Sequence, residues 1–218
     1  MTPGLHPHPA LSSQSGIAIG PILFVIAMLA VLAVAMQSGG GGFGQASVTD
    51  RISADISTQA NLIRAKITEC NTVHGTDSNY DGYPSSLSGG TVTPTLVKNL
   101  TCNGDTAGQQ NLWTGARNTS YPPPTTGFSD WYYVNTNSAG LGGTATGGRC
   151  IYIKPTSSGQ QTNSGLVAGL TKAVSKFTHS TTNDGASEIN YDPASSSQKV
   201  VLWITVPAQG SEDSNCVP

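Results

Sequence analysis

From Ile17 to Met36 the chain reads IAIGPILFVIAMLAVLAVAM, twenty residues without a charge. At about 1.5 Å per residue such a helix reaches roughly 30 Å, the thickness of a bilayer's hydrocarbon core. No other run in the chain comes close. Pro21 marks where the helix begins. In a helix interior proline costs about 3 kcal/mol, whereas in the first turn its missing N–H is one of the donors that lack partners anyway. A start near Ile17 is therefore expected, with a natural break at Gly16/Ile17. Met1–Gly16, with prolines at positions 3, 7 and 9, forms no regular element. It lacks the positively charged start of a secretory signal, but Ala33 and Ala35 offer an A-x-A-like cleavage site. An uncleaved single-pass anchor is the other reading of the same segment.

After the apolar run the chain changes character twice. Gln37–Gly44 (QSGGGGFG) is expected to be non-helical, because each Gly costs about 1 kcal/mol against Ala in a helix. From Ser47, Val48, Ile52, Ile56, Ile63 and Ile67 recur at helical spacing with Ala60 filling the gap, an apolar stripe that docks on a sheet. A coiled-coil partner is the alternative. Asn71–Ser129 is largely loop, with an edge strand somewhere in Thr91–Leu100 limited by Pro94. Trp131–Val134 and Cys150–Ile153 read as strands, Gly165–Phe177 as a short helix, and Glu188–Tyr191 with Lys199–Val206 as a hairpin about Asp192-Pro193. Local connections between such strands imply an antiparallel sheet with the long helix across one face. The expected fold is α+β: a long N-terminal apolar helix, a Gly-rich break, and an amphipathic helix packed on an antiparallel sheet. Its plan is a leader over 1–16, the apolar helix over 17–36, a joint over 37–46 and a globular domain over 47–218.

Four cysteines, Cys70, Cys102, Cys150 and Cys216, all follow the apolar run and contain no C-x-x-C pair. Their even number and wide spacing fit two disulfides in an oxidising compartment better than a zinc site. Three connectivities are open. The expected one is Cys70–Cys102 with Cys150–Cys216, which ties the helix end to its following loop and the C-terminus to the sheet.

A polar leader ending in Gly16, an uncharged helix from Ile17, an amphipathic helix and a two-disulfide domain together resemble a type IV pilin or pilin-like protein. The likeness covers the first third of the chain and the disulfide layout. Pro21 stands five residues after the cut, where the family usually carries Glu, and the leader lacks the customary Lys or Arg. The resemblance implies cleavage between Gly16 and Ile17 by a prepilin peptidase, and residence in the inner membrane before assembly. It also implies a homo-oligomeric helical filament at the cell surface, raised by an assembly machinery. The filament-core helix would present Ile19, Pro21, Leu23, Phe24, Ala27, Ala30, Leu32 and Ala33, the small residues setting how closely helices approach. An accessory pseudopilin of a secretion or DNA-uptake system shares this architecture. A tethered or secreted binding module that never polymerises is the reading from a different class.

Chemistry-bearing motifs are few. Asp77-Ser78-Asn79-Tyr80-Asp81-Gly82 opens like a calcium loop, with Asp77, Asn79 and Asp81 as oxygen ligands, but Ser88 stands where the closing Glu belongs. No other cofactor is expected. His6, His8, His74 and His179 are scattered, and no nucleophile elbow, P-loop or dinucleotide fingerprint occurs. The expectation is a non-enzyme. Net charge is -2 and only 10% of residues are charged, so no basic surface is offered to nucleic acid. Asn99-Leu100-Thr101 and Asn118-Thr119-Ser120 fit glycosylation sequons.

Overall fold

A computed structural model describes residues 19–74, 82–88, 91–102, 110–114, 119–136, 148–177, 179–180, 188–207 and 213–218, with backbone alone for 19–45, 87–88 and 179–180. The chain divides into two compact units, Met1–Gly44 and Gln45–Pro218. Side-chain description belongs to the second.

Helix α1 spans Ile19–His74. The non-helical joint expected at 37–46 is not there: its backbone is helical. Four successive glycines disfavour a helix by about 4 kcal/mol. Stopping and restarting one demands a second nucleation, also about 4 kcal/mol, and strands unpaired backbone groups at both new ends. Propensity alone therefore had no decisive margin.

The stripe on α1 buries as its spacing dictates. Ile52 is 7% exposed, and Ile56, Ala60, Ile63, Ile67 and Cys70 are fully buried. Each isoleucine so buried is worth about 1.5–3 kcal/mol. Val48 departs from the expectation, standing 48% exposed at the end of the stripe.

Three short strands follow: β1 (Leu87–Ser88), β2 (Thr91–Val92) and β3 (Thr95–Leu96). Pro94 separates the last two, so the single strand expected here is split. The main sheet adds β4 (Tyr132–Asn135), β5 (Arg149–Ile153), β6 (His179–Ser180), β7 (Ile189–Tyr191) and β8 (Val200–Thr205). Its order is β3-β4-β5-β8-β7-β6. The first five strands are antiparallel neighbours, and β6 joins the far edge in parallel, a departure from a wholly antiparallel sheet. Register aligns Tyr133, Ile151, Leu202 and Ile189 across one face and Val134, Cys150 and Trp203 across the other. The first row joins the α1 stripe in the main core; the second belongs to a smaller core with Tyr152, Val201 and Cys216.

Two further helices, α2 (Ser158–Gln161) and α3 (Ser164–Val174), lie between β5 and β6. The Asn163 side chain caps α3 by accepting from Leu166 N at 3.1 Å. A Cβ at Gly169 would sit 2.7 Å from Ile52 Cγ2, so glycine is what lets α3 lie against α1. The disulfides are Cys70–Cys102 and Cys150–Cys216. The first joins the end of α1 to the loop after it; the second holds the C-terminal 3-10 turn Ser214–Cys216 on the smaller core. Two such bonds place the chain in an oxidising compartment outside the cytosol.

Candidate functional site

The α1 face carries one large polar side chain among its buried positions. Gln59 is 8% exposed, and both ends of its amide are used. Nε2 donates to Pro123 O at 2.9 Å, and Oε1 accepts from the indole Nε1 of fully buried Trp131 at 2.8 Å. This bridge holds the strap Tyr121–Thr126 beside the helix. The strap contains Pro122, Pro123 and Pro124, whose rings fix the backbone, so these three residues offer backbone acceptors and no N–H donors. Edge-on packing of Trp113 against Tyr121, ring centroids 5.0 Å apart, anchors one end. At the other end Phe128 N donates to Thr125 O at 2.9 Å in a tight turn. Gly127 has φ 92° at the third position of that turn, a conformation that favours glycine.

Held this way, the strap does not collapse onto α1. A groove of about 530 Å³ runs between them, lined by Arg51, Asp55, Thr58, Gln59 and Pro122–Thr126. A narrower part of about 200 Å³ extends to Val48 and Ile52. These sizes bracket the lower range of ligand-binding clefts. Thr125 lines both parts, is 4% exposed, and its hydroxyl has no partner among the described residues. Arg51 Nε and Asp55 Oδ2 are 3.8 Å apart, with side chains 79% and 42% exposed. Such an i,i+4 surface pair contributes about 0.3–0.5 kcal/mol, so both charges exchange partners cheaply.

α3 lies along the other side of this α1 segment. Thr49 Oγ1 donates to Gly165 O at 3.4 Å, Lys172 Nζ lies 2.6 Å from Asp50 Oδ1, and Lys176 Nζ donates to Ser57 Oγ at 3.1 Å. On the far face of the sheet Tyr132 and Tyr152 stack with centroids 5.1 Å apart, and Lys199 Nζ lies 5.4 Å from the Tyr152 centroid.

Burial governs the titration of these groups. It pushes the Tyr121 phenol up to about 12, opposed by the Trp131 N–H it accepts and assisted by Asp130. Tyr152 is pushed up to about 12, by burial first and then by Tyr132 and Asp213. Lys199 is lowered by burial and by neighbouring Lys154, with Asp213 acting the other way. The tyrosines thus stay neutral hydrogen-bonding groups at ordinary pH. The groove holds a proline-walled side and one exposed acid–base pair. That is recognition chemistry.

The residues singled out from sequence are distributed unevenly. Gly16 and Ile17 lie outside the described residues. Ile19, Pro21, Leu23, Phe24, Ala27, Ala30, Leu32 and Ala33 fall on the helical backbone of α1, and their side chains lie outside the description. Asp77, Asn79 and Asp81 also lie outside it, and among the described residues no cluster of three metal-ligating side chains occurs. Among the residues whose side chains are described, from 46 onward, no helix is long and apolar enough to cross a membrane. The groove was not singled out from sequence. Its walls come from segments more than sixty residues apart, and the local signals were three consecutive prolines and a glutamine within an apolar stripe.

No family model, no curated protein and no solved structure matches the chain. The architecture itself, a helix packed on an antiparallel sheet and stapled by two disulfides, is of the pilin-like kind.

Proposed function

We propose that this chain is a structural subunit of a type IV pilus-like filament at the cell surface. The observation that carries the reading is the uncharged run Ile17–Met36, which begins directly after Gly16 and leads into a disulfide-stapled α+β domain. In this reading a prepilin peptidase cuts between Gly16 and Ile17, the inner membrane holds the precursor, and the apolar helices then leave lipid for a bundle of their own kind. That transfer exchanges one dry environment for another. Specificity therefore rests on shape and on small residues such as Ala27, Ala30 and Ala33. Gly16→Ile tests the reading: it blocks maturation and abolishes filaments in negative-stain images of sheared cell surfaces. Normal filaments from that variant contradict peptidase cleavage at this site.

The groove beside α1 favours a second reading, a tethered or secreted binding module that does not polymerise. Wild-type cells without filaments, together with a chain whose N-terminus is Met1 or Met36, support it.

A further inference from the structure

The segment from Val97 to Cys102 divides into an inward and an outward set. Val97, Leu100 and Cys102 are buried, while Lys98, Asn99 and Thr101 face solvent. Val97–Asn99 forms a 3-10 turn, and Leu100 follows it with extended backbone, φ -64° and ψ 141°. Side chains flanking an extended residue point to the side opposite its own. With Leu100 in the core, Asn99 and Thr101 are therefore turned together toward water. The backbone that presents them is fixed from several directions. Trp113 Nε1 donates to Val97 O at 2.8 Å, Leu112 N to Leu100 O at 3.0 Å and Cys102 N to Gln110 O at 2.7 Å. Cys102 is also bonded to Cys70 of α1. Other asparagines are tied into turns, caps and strands: Asn111 Oδ1 accepts from Trp113 N and Thr114 N, Asn135 donates to Pro84 O, Asn163 caps α3 and Asn215 donates to Asp213. Asn99 and Thr101 make no side-chain bond among the described residues.

We propose that Asn99 is an N-glycosylation site, whose substrate is a sugar activated at its anomeric carbon by a pyrophosphate leaving group on a lipid carrier. Asn99-Leu100-Thr101 has the acceptor pattern, and the two disulfides place the chain outside the cytosol. A bulky, polar glycan needs a surface position, which the exposed and unbonded Asn99 amide supplies. In the transfer Asn99 Nδ2 bonds to the anomeric carbon as that carbon's bond to the pyrophosphate oxygen breaks. Pyrophosphate leaves with the electron pair, one amide proton passes to a base on the transferase, and nothing is oxidised or reduced. The Thr101 hydroxyl, free and on the same side, is the group read beside the acceptor amide. The second sequon carries no such argument, because Asn118 lies outside the described residues. The proposal needs the compartment that the disulfides mark and not the filament.

Peptide mass mapping of the chain recovered from the cells that naturally make it, after reduction of its disulfides, tests this. Trypsin cuts after Lys98 and Arg117, which separates Asn99 from the second sequon. The Asn99 peptide is heavier than its sequence by a glycan that releases sugar fragment ions. Asn99→Gln and Thr101→Ala each remove the whole excess, and Thr101→Ser, which keeps the hydroxyl, retains it. Both positions are exposed, and each variant is compared at equal amounts of disulfide-bonded chain on non-reducing gels. Should a variant fail to accumulate, the wild-type peptide decides by itself. A wild-type peptide at its bare sequence mass overturns the proposal, and so does an excess that survives Asn99→Gln, since it then sits on another residue. Either result leaves the filament reading in place, because sheared filaments are scored separately.

Discussion

Removing the Gln59 amide is the sharpest test of how the strap is held. In Gln59→Leu the indole N–H of Trp131, on a side chain that is fully buried, loses its acceptor, and Pro123 O loses a donor. An orphaned buried donor costs about 1–3 kcal/mol and the second bond about 1, against roughly 1 regained by burying an apolar side chain. The net loss is about 1–3 kcal/mol. For a domain of this size that lowers the melting temperature by about 2–12 °C. Gln59→Glu separates hydrogen bonding from packing. A protonated Glu reproduces both bonds, accepting from Trp131 and donating to Pro123 O. An ionised one loses the second bond and places a charge in a buried site. Burial holds its folded-state pKa above the unfolded value of about 4.3, so its stability is near wild type below about pH 4 and is lost as pH rises through the folded-state pKa. Urea denaturation of the purified protein across pH 3.5–7.5, an experimental range of roughly four units, reads both variants. A Gln59→Leu protein within about 0.5 kcal/mol of wild type, or a Gln59→Glu deficit that does not change with pH, refutes the assigned bridge.

The remaining expectations concern packing, cross-links and pH. Gly169→Val puts a side chain where a Cβ already comes within 2.8 Å of Ile52 Cβ, which destabilises by about 1–3 kcal/mol, and Ile52→Ala partly relieves the clash in the double variant. Replacing Cys150 and Cys216 by Ala frees a loop with a sequence separation of 66, for about 4 kcal/mol by the chain-entropy relation, visible as a lower denaturation midpoint. Stability falls as pH rises from about 10 to about 12, because unfolded phenols release protons that buried Tyr121 and Tyr152 keep. Lys199, lowered by burial, works in the opposite direction below its ordinary value of 10.5, so Tyr152→Phe flattens the alkaline decline and Lys199→Met does not.

Elements whose side chains repeat with one period were legible in the chain. Ile52, Ile56, Ile63 and Ile67 announce a helix face, and the unbroken apolar runs Cys150–Ile153 and Val200–Trp203 announce strands with both faces covered. The hairpin at Asp192-Pro193 also reads locally, although its closure depends on Gln198, at φ 48°, accepting from the Tyr191 hydroxyl at 2.6 Å and donating to Pro193 O at 2.7 Å. What escaped had no local period. Strand β6 is two residues long and takes its place from a parallel partner. The helical backbone at 37–44 opposes glycine propensity, because restarting a helix costs as much as continuing through four glycines. The groove arises only when residues 48–59 meet 122–126, so no window of sequence contains it. The Pro-rich stretch reads as an ordinary loop until Gln59 is seen bonding it to the helix.

The central claim is that the uncharged rod beginning at Ile17 packs beside copies of itself once its leader is gone. Intact-mass analysis and N-terminal sequencing of the chain recovered from sheared cell-surface fibres measure this directly. The account predicts fibres built of a chain that begins at Ile17 and carries both disulfides. A chain found only as a dissolved monomer, or one whose fibres retain Met1–Gly16, contradicts it.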